Sequence, residues 1–417
     1  MTQRPQRALV VGQGSREHAL VYSLTISGHF DRIYAAPGNP GMASLAECIS
    51  YETLPELIRW CAHQDPLLVI VGPEAPLVAG LADVLRSQGH AVIGPSQAAA
   101  ALEGSKAYAK DVMRRYEIPT ASVQLARSPT ELDRLIDAET AWPHVMKQSG
   151  LAGGKGVVVV DSKEAAFKVA QSWGERPELF TGGILWEECL VGEEISVHVL
   201  TNGHDYVWLP LTRDYKRLNA LPDAPNTGGM GAFGPVPGLA PDTEDKINTE
   251  ILDRVMQFLQ DEGFLYRGIL YVGLMLTHNG PKVLEFNVRM GDPETEVIIP
   301  VVDYDWGEVW LQLAEGTLPS LPRSFEKAAV AVVLADERYP QSSLGGQSIH
   351  VPPGGKGLVF HGATRMIDER LEAHGGRILT IVGVGPHITE ARHQAYETIG
   401  AINAPHTQYR RDIAEQT

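Results

Sequence analysis

In Val283-Leu284-Glu285-Phe286-Asn287-Val288-Arg289, polar side chains alternate with apolar ones. Residues two apart on a β-strand share a face. Glu285, Asn287 and Arg289 are therefore expected together, with Leu284, Phe286 and Val288 on the other face. A carboxylate beside an amide oxygen is a hard donor set suited to Mg²⁺, which takes few protein oxygens and completes its shell with phosphates. The Arg289 guanidinium beside them can grip a phosphoryl or carboxylate group through a two-pronged contact. Asp292-Pro293 follows, and the pair predicts an N-cap with proline in the first helical turn. The plain alternative is a half-exposed strand with a surface ion pair. Three groups of matched chemistry ending on a capped turn favour a site.

Other stretches offer complementary chemistry. Lys106 and Lys110 sit on an expected helix, and Lys147 ends a strand. After it comes Gln148-Ser149-Gly150-Leu151-Ala152-Gly153-Gly154-Lys155-Gly156, a glycine-rich loop with a lysine between two strands, which suggests a mobile phosphate cover. It is not a Walker A loop, because Gly156 stands where a magnesium-binding Ser or Thr is needed and a strand follows. An acid in the stretch from Ile184 to Ser196 can accept ribose hydroxyls or an adenine amino group, although taken alone the stretch reads as an acidic strand-loop-strand. Arg213 to Arg217 precede Asn226-Thr227-Gly228-Gly229-Met230-Gly231, a polar loop able to wrap a small zwitterionic or phosphorylated substrate.

These groups need elements to hold them. Four short apolar strands, at 7–12, 33–36, 67–71 and 91–95, alternate with helical segments, which predicts an open parallel α/β sheet up to about residue 103. Glycine-rich loops follow three of them, at Gly12-Gln13-Gly14, Pro37-Gly38-Asn39-Pro40-Gly41 and Gly72-Pro73-Glu74, on the edge where such sheets bind ligands. Glu17 replaces the third glycine of a dinucleotide fingerprint, and Ala36-Pro37-Gly38 stands where the ribose-binding acid is expected, so a nicotinamide cofactor is unsupported. The loops still offer amides at a helix start, suited to one phosphate. Past about residue 325, strands at 328–334 and 377–384 and a helix at 389–399 make a small α+β domain.

The totals set limits. At 417 residues the chain needs several domains. With 35 basic against 51 acidic residues and a net charge of −16, neither nucleic acid nor an anionic membrane is an expected partner. Cys48, Cys61 and Cys189 lack metal-ligand spacing and read as reduced, half-buried thiols, which points to the cytoplasm. No leader is evident, and no apolar run reaches the roughly 18 residues of a membrane helix. Nothing requires more than a monomer.

In order, these pieces resemble the glycinamide ribonucleotide synthetase (phosphoribosylamine–glycine ligase) family of the ATP-grasp superfamily, nearly end to end. The carriers are Gly12 to Leu20, Pro37 to Gly41, Val71 to Leu77, Gly150 to Gly156, Pro225 to Gly231, Glu285 to Thr295 and Gln408 to Ile413. The resemblance implies an N-terminal domain (1–103), an ATP-grasp domain (104–325, with a lid at about 122–187) and a C-terminal domain (326–417). It implies ATP with Mg²⁺, or Mn²⁺, and small-molecule substrates: glycine and phosphoribosylamine, joined through an acyl phosphate. By matching position, Lys106 and Lys147 hold ATP phosphates, and Lys155, with Gly153 and Gly154, caps them. Glu187, Glu188 and Leu190 line the adenine slot and Glu194 takes the ribose. Glu285 and Asn287 hold the metal, and Arg289 steadies the acyl phosphate or the glycine carboxylate. Asp214, Lys216 and Asn226 to Met230 surround the acceptor, while Gly12, Gly14, Glu17, Gly38, Asn39, Pro40 and Glu74 hold phosphoribosylamine. Ser149, Tyr215, 218–224 and Glu296 depart from the family pattern. They leave two alternatives: a diverged ligase with another acid or amine, and a non-catalytic nucleotide-binding protein.

Overall fold

The computed structural model describes residues 4–151, 156–221, 224–322 and 324–415. Strands Arg7–Gly12, Arg32–Pro37, Leu67–Val71 and Ala91–Pro95 form a parallel sheet, joined at its edge by a two-residue strand, Glu47–Cys48. Being parallel, they release the loops at Gly12, Pro37 and Val71 from one edge. This sheet does not stop at residue 103. Tyr266–Thr277 pairs antiparallel with Gly94 and Pro95, then with Glu193–Thr201 and Gly280–Asn287, so nine strands run as one sheet.

A second sheet likewise crosses the expected boundary near 325. Ala328–Asp336, Arg377–Gly385, Leu358–His361 and Thr407–Gln408 are extended by Gly231–Gly234 and Arg213–Asp214 from the middle of the chain. The helix Ile388–Ala401 packs on it. Leu20, Trp306, Ala331 and Val382 share one core cluster, which unites the N-terminal, central and C-terminal stretches. The segment at 123–188 stands apart. Its four antiparallel strands and the helices Pro129–Ala138 and Lys163–Gly174 bury Met146, Trp173 and Trp186 in a core of their own.

Three sequence expectations need correction. The alternation at 283–288 is broken by a β-bulge: Gly273 pairs with Glu285 and Leu274 with Val283, which leaves Leu284 as the extra residue. Val283, Phe286 and Val288 share the core, while Leu284 joins the cleft wall. Asp292 is not an N-cap. The helix is Glu294–Val301 with Pro293 at the cap position and no side-chain cap. The Asp292 carboxylate instead lies 3.0 Å from the Arg377 guanidinium, a charge-assisted contact that outweighs a neutral amide. Finally, only Cys189 is half-buried; all three cysteines are free, with Cys48 exposed and Cys61 buried.

Candidate active site

A cleft of about 760 Å³ opens between the 123–188 segment and the two large sheets. Its basic end is built from helix Lys106–Arg115 and strand His144–Gln148. Lys106 donates to Gly150 O at 3.1 Å. Ser149 ties this corner together, because its hydroxyl accepts from Ala107 N at 3.1 Å and its carbonyl from Lys106 N at 2.8 Å. The buried Glu187 carboxylate lies 2.9 Å from Lys147 Nζ and 3.2 Å from Lys110 Nζ. Burial lowers the Lys106 ammonium, with Glu285 opposing, and takes Lys110 down to about 8, with Glu187 opposing. Three ammonium groups around one or two carboxylates suit a polyphosphate.

An acidic cluster adjoins these lysines. Lys216 Nζ pairs with Glu194 and lies 3.6 Å from Glu285 and 4.0 Å from Asp214. Burial opposes its charge, yet Asp214 and Glu194 hold the ammonium well above its usual range. Burial pushes Asp214 well above the carboxylate range against the pull of Lys216, and it raises the neighbouring Glu294. Glu285 is different. Burial works against its ionisation, but Lys216, Lys147, Lys106 and Arg289 outweigh burial, so it stays ionised.

The donor set fits a hard divalent ion. Among the described residues no group of three or more His, Cys, Asp or Glu can cage a metal. Mg²⁺ needs only one or two carboxylates plus phosphates. The Asn287 amide satisfies its neighbours when its nitrogen donates to Glu103 Oε1 at 3.0 Å and to Phe286 O at 3.2 Å, an orientation assigned from the hydrogen bonds. Glu103 also accepts from Val288 N at 2.8 Å and lies 2.6 Å from Arg289 Nη2, while Glu74 lies 3.4 Å from Arg289 Nε. Arg289 is thus aimed by two carboxylates from the N-terminal segment.

The cleft wall brings together most of the expected residues. Lys106, Lys147, Glu187, Glu188, Leu190 and Glu194 are on it, as are Asp214, Lys216, Asn226, Thr227 and Gly228. So are Glu74, Glu285, Asn287 and Arg289. Gly12, Gly14, Glu17, Gly38, Asn39, Pro40, Gly229 and Met230 are not part of that lining. Glu17 accepts from Gly14 N at 2.7 Å and from Arg16 Nε at 2.5 Å. Asn39 donates to Gln13 O at 2.9 Å and His361 O at 2.6 Å, and the Met230 side chain is buried. Gly153, Gly154 and Lys155 lie outside the described residues. Sequence reasoning did not place Arg16, Glu103, Glu294, Arg377 or Arg410 on the cleft. Arg16, Glu294 and Arg410 lie inside stretches that carry the family resemblance, and Arg377 opens an expected strand, but their type and spacing alone do not mark them as cleft residues.

The chain matches the phosphoribosylglycinamide synthetase N domain at residues 6–103, its ATP-grasp (A) domain at 104–295 and its C domain at 329–416. A phosphoribosylamine–glycine ligase of Caldanaerobacter subterraneus subsp. tengcongensis is 39% identical over 98% of this chain and 99% of its own length. The solved phosphoribosylamine–glycine ligase of Thermotoga maritima superposes with a TM-score of 0.86 at 36% identity, covering 98% of this chain and 100% of that one. At 16% identity the biotin carboxylase domain of Hydrogenobacter thermophilus 2-oxoglutarate carboxylase, solved with MgADP, reaches 0.75 over 98% and 92%, a likeness of fold alone. A multidomain chain of mixed α/β sheets with an ATP-grasp centre, it belongs to the phosphoribosylglycinamide synthetase family.

Proposed function

We infer that the chain is an ATP-dependent ligase of purine biosynthesis that joins glycine to phosphoribosylamine, giving glycinamide ribonucleotide, ADP and phosphate. The observation that carries this reading is one cleft with a cationic end at Lys106 and Lys147 and an ionised Glu285 beside Asn287 and Arg289. In the first step a glycine carboxylate oxygen bonds to the γ-phosphorus as the β,γ-bridging O–P bond breaks and ADP leaves. In the second the amine nitrogen attacks the acyl carbon, phosphate departs and the nitrogen loses a proton. Phosphoryl transfer depends on positioning and charge neutralisation.

Lys106 and Lys147 then neutralise the polyphosphate, and Lys155 with Gly153 and Gly154 covers it from the lid. Glu187, Glu188 and Leu190 line the adenine, while Glu194 exchanges Lys216 for the ribose. Glu285 and Asn287 would hold Mg²⁺, or Mn²⁺, which when bound neutralises phosphate oxygens. Arg289 steadies the acyl phosphate or the carboxylate. Asp214, whose ionisation burial opposes and Lys216 favours, frames the acceptor with Lys216, Asn226, Thr227 and Gly228. Gly229 and Met230 set that loop's course, and Glu74 faces the amine. Gly12, Gly14, Glu17, Gly38, Asn39 and Pro40 support the phosphoribosyl side from behind. We assign the segments 1–103, 104–325 (lid about 122–187) and 326–417, and place the chain in the cytoplasm as a monomer.

A panel of amino acids and amines, scored for ADP and for product mass, tests the substrates. Glycine with phosphoribosylamine is expected to turn over, and Glu285→Ala to lose ADP formation while keeping the fold. Turnover with another acid and none with glycine would select a diverged ligase.

A further inference from the structure

Gly228 is held on both sides by the C-terminal stretch. Its N–H donates to the Tyr339 hydroxyl at 2.8 Å, and its carbonyl accepts from Arg377 Nη1 at 2.7 Å. The same Nη1 lies 3.0 Å from Asp292 O and 3.0 Å from Asp292 Oδ1. Arg377 opens the strand Arg377–Gly385 and is mostly buried, with its side chain 23% exposed on the cleft. The loop and the turn it joins are in close contact. Gly229 has φ +114°, and a Cβ there would stand 2.7 Å from Pro293 Cδ and 3.1 Å from Asp292 O. Only glycine permits that approach. Asp292, three residues beyond Arg289, thus meets the Asn226 loop through one guanidinium donated by another sheet.

We propose that Arg377 is a positioning residue: it clamps the Asn226–Gly231 loop to Asp292, and so fixes the acceptor pocket against the strand bearing Glu285, Asn287 and Arg289. The proposal rests on the ligase reading for the acceptor's identity, and on geometry alone for the clamp. Without the clamp the acyl phosphate still forms, because the lysines and Glu285 lie elsewhere in the cleft. The amine is then misplaced, and water takes the acyl group. Asp292 foremost holds the Arg377 charge up against burial, so the clamp stays cationic.

The test uses the full chain with Arg377→Met, Arg377→Lys and Tyr339→Phe. In Arg377→Met, amide exchange across residues 226–231 should quicken about tenfold, and kcat/KM for the amine should fall about a hundredfold. ADP released per product should rise above one to one, while the Kd for ATP stays within about twofold. Tyr339→Phe should shift both readouts the same way but less, and Arg377→Lys should recover part of the loss, since lysine supplies charge without the fork. A merely structural role would lower ATP affinity and melting temperature together and leave ADP matched to product; that result, or unchanged exchange at 226–231, overturns the clamp. Failure of the wild-type chain to make product from glycine and phosphoribosylamine would instead overturn the ligase reading, and the exchange measurement still decides the clamp.

Discussion

Glu296 shows how a residue can be legible in type and illegible in role. From the sequence it is a departure from the family pattern just past Arg289, where it bears on substrate choice. It is fully buried in helix Glu294–Val301 and is not among the cleft-lining residues. Burial first, and Asp292 second, push its carboxyl well above 4.5, against the pull of Arg377 and Ser15. Burial thus favours its neutral form, which a glutamine would match in shape and charge. As pH rises past 4.5 the unfolded carboxyl ionises while the folded one keeps its proton, so this group lowers stability progressively above that pH. Glu296→Gln should remove the loss, adding about 1–3 kcal/mol at pH 8 with turnover unchanged. Urea unfolding at pH 5 and pH 8 checks this; no gain at pH 8 would mean Glu296 is ionised in the fold.

At the scale of elements, what was legible was periodic. Alternation at 283–289 predicted the strand and the shared placement of Glu285, Asn287 and Arg289 on the cleft, because a strand's period is a local property. The bulge at Leu284 was hidden, since it exists only relative to the partner residues Gly273 and Leu274. The N-terminal glycine loops were legible as turns, but the cause lies between segments. A Cβ on Gly72 would stand 2.2 Å from Glu17 Oε1, and one on Gly12 would stand 2.4 Å from Glu17 Cγ. Both glycines make room for a buried carboxylate that caps helix Ser15–Ser27 through Gly14 N. Gly72→Ala should therefore expel Glu17 from its cap and cost about 1–3 kcal/mol, as overpacking does. Thermal melting of the variant tests it, and an unchanged midpoint would show that the loop shifts freely to admit a methyl group.

At the scale of the whole molecule, two sheets and a core cluster run across the segment boundaries and tie the segments together. A junction between its two ends makes stability depend on pH. His18, in the first helix, accepts at Nδ1 from His361 N at 2.8 Å, and Asn39 bonds the carbonyl of His361. Burial, with His361 adding to it, takes His18 down to about 3, and burial takes His361 down to about 4. His198, which accepts from Gly291 N at 3.2 Å beyond the strand that bears Glu285 and Asn287, is likewise lowered to about 3 by burial and then by Arg289. Below 6.5 the unfolded imidazoles take up protons and the folded ones do not, so the unfolded chain binds more protons and stability falls as pH falls. Each such group contributes a slope of up to about 1.4 kcal/mol per pH unit between 6.5 and its folded value. His18→Asn keeps an acceptor for His361 N and removes one titrating group. Its unfolding free energy should therefore decline less steeply than the wild type's between pH 6.5 and 4.5, as urea unfolding at successive pH values can measure. Parallel curves for the two proteins would mean that the imidazole at the junction takes its proton without the ends separating.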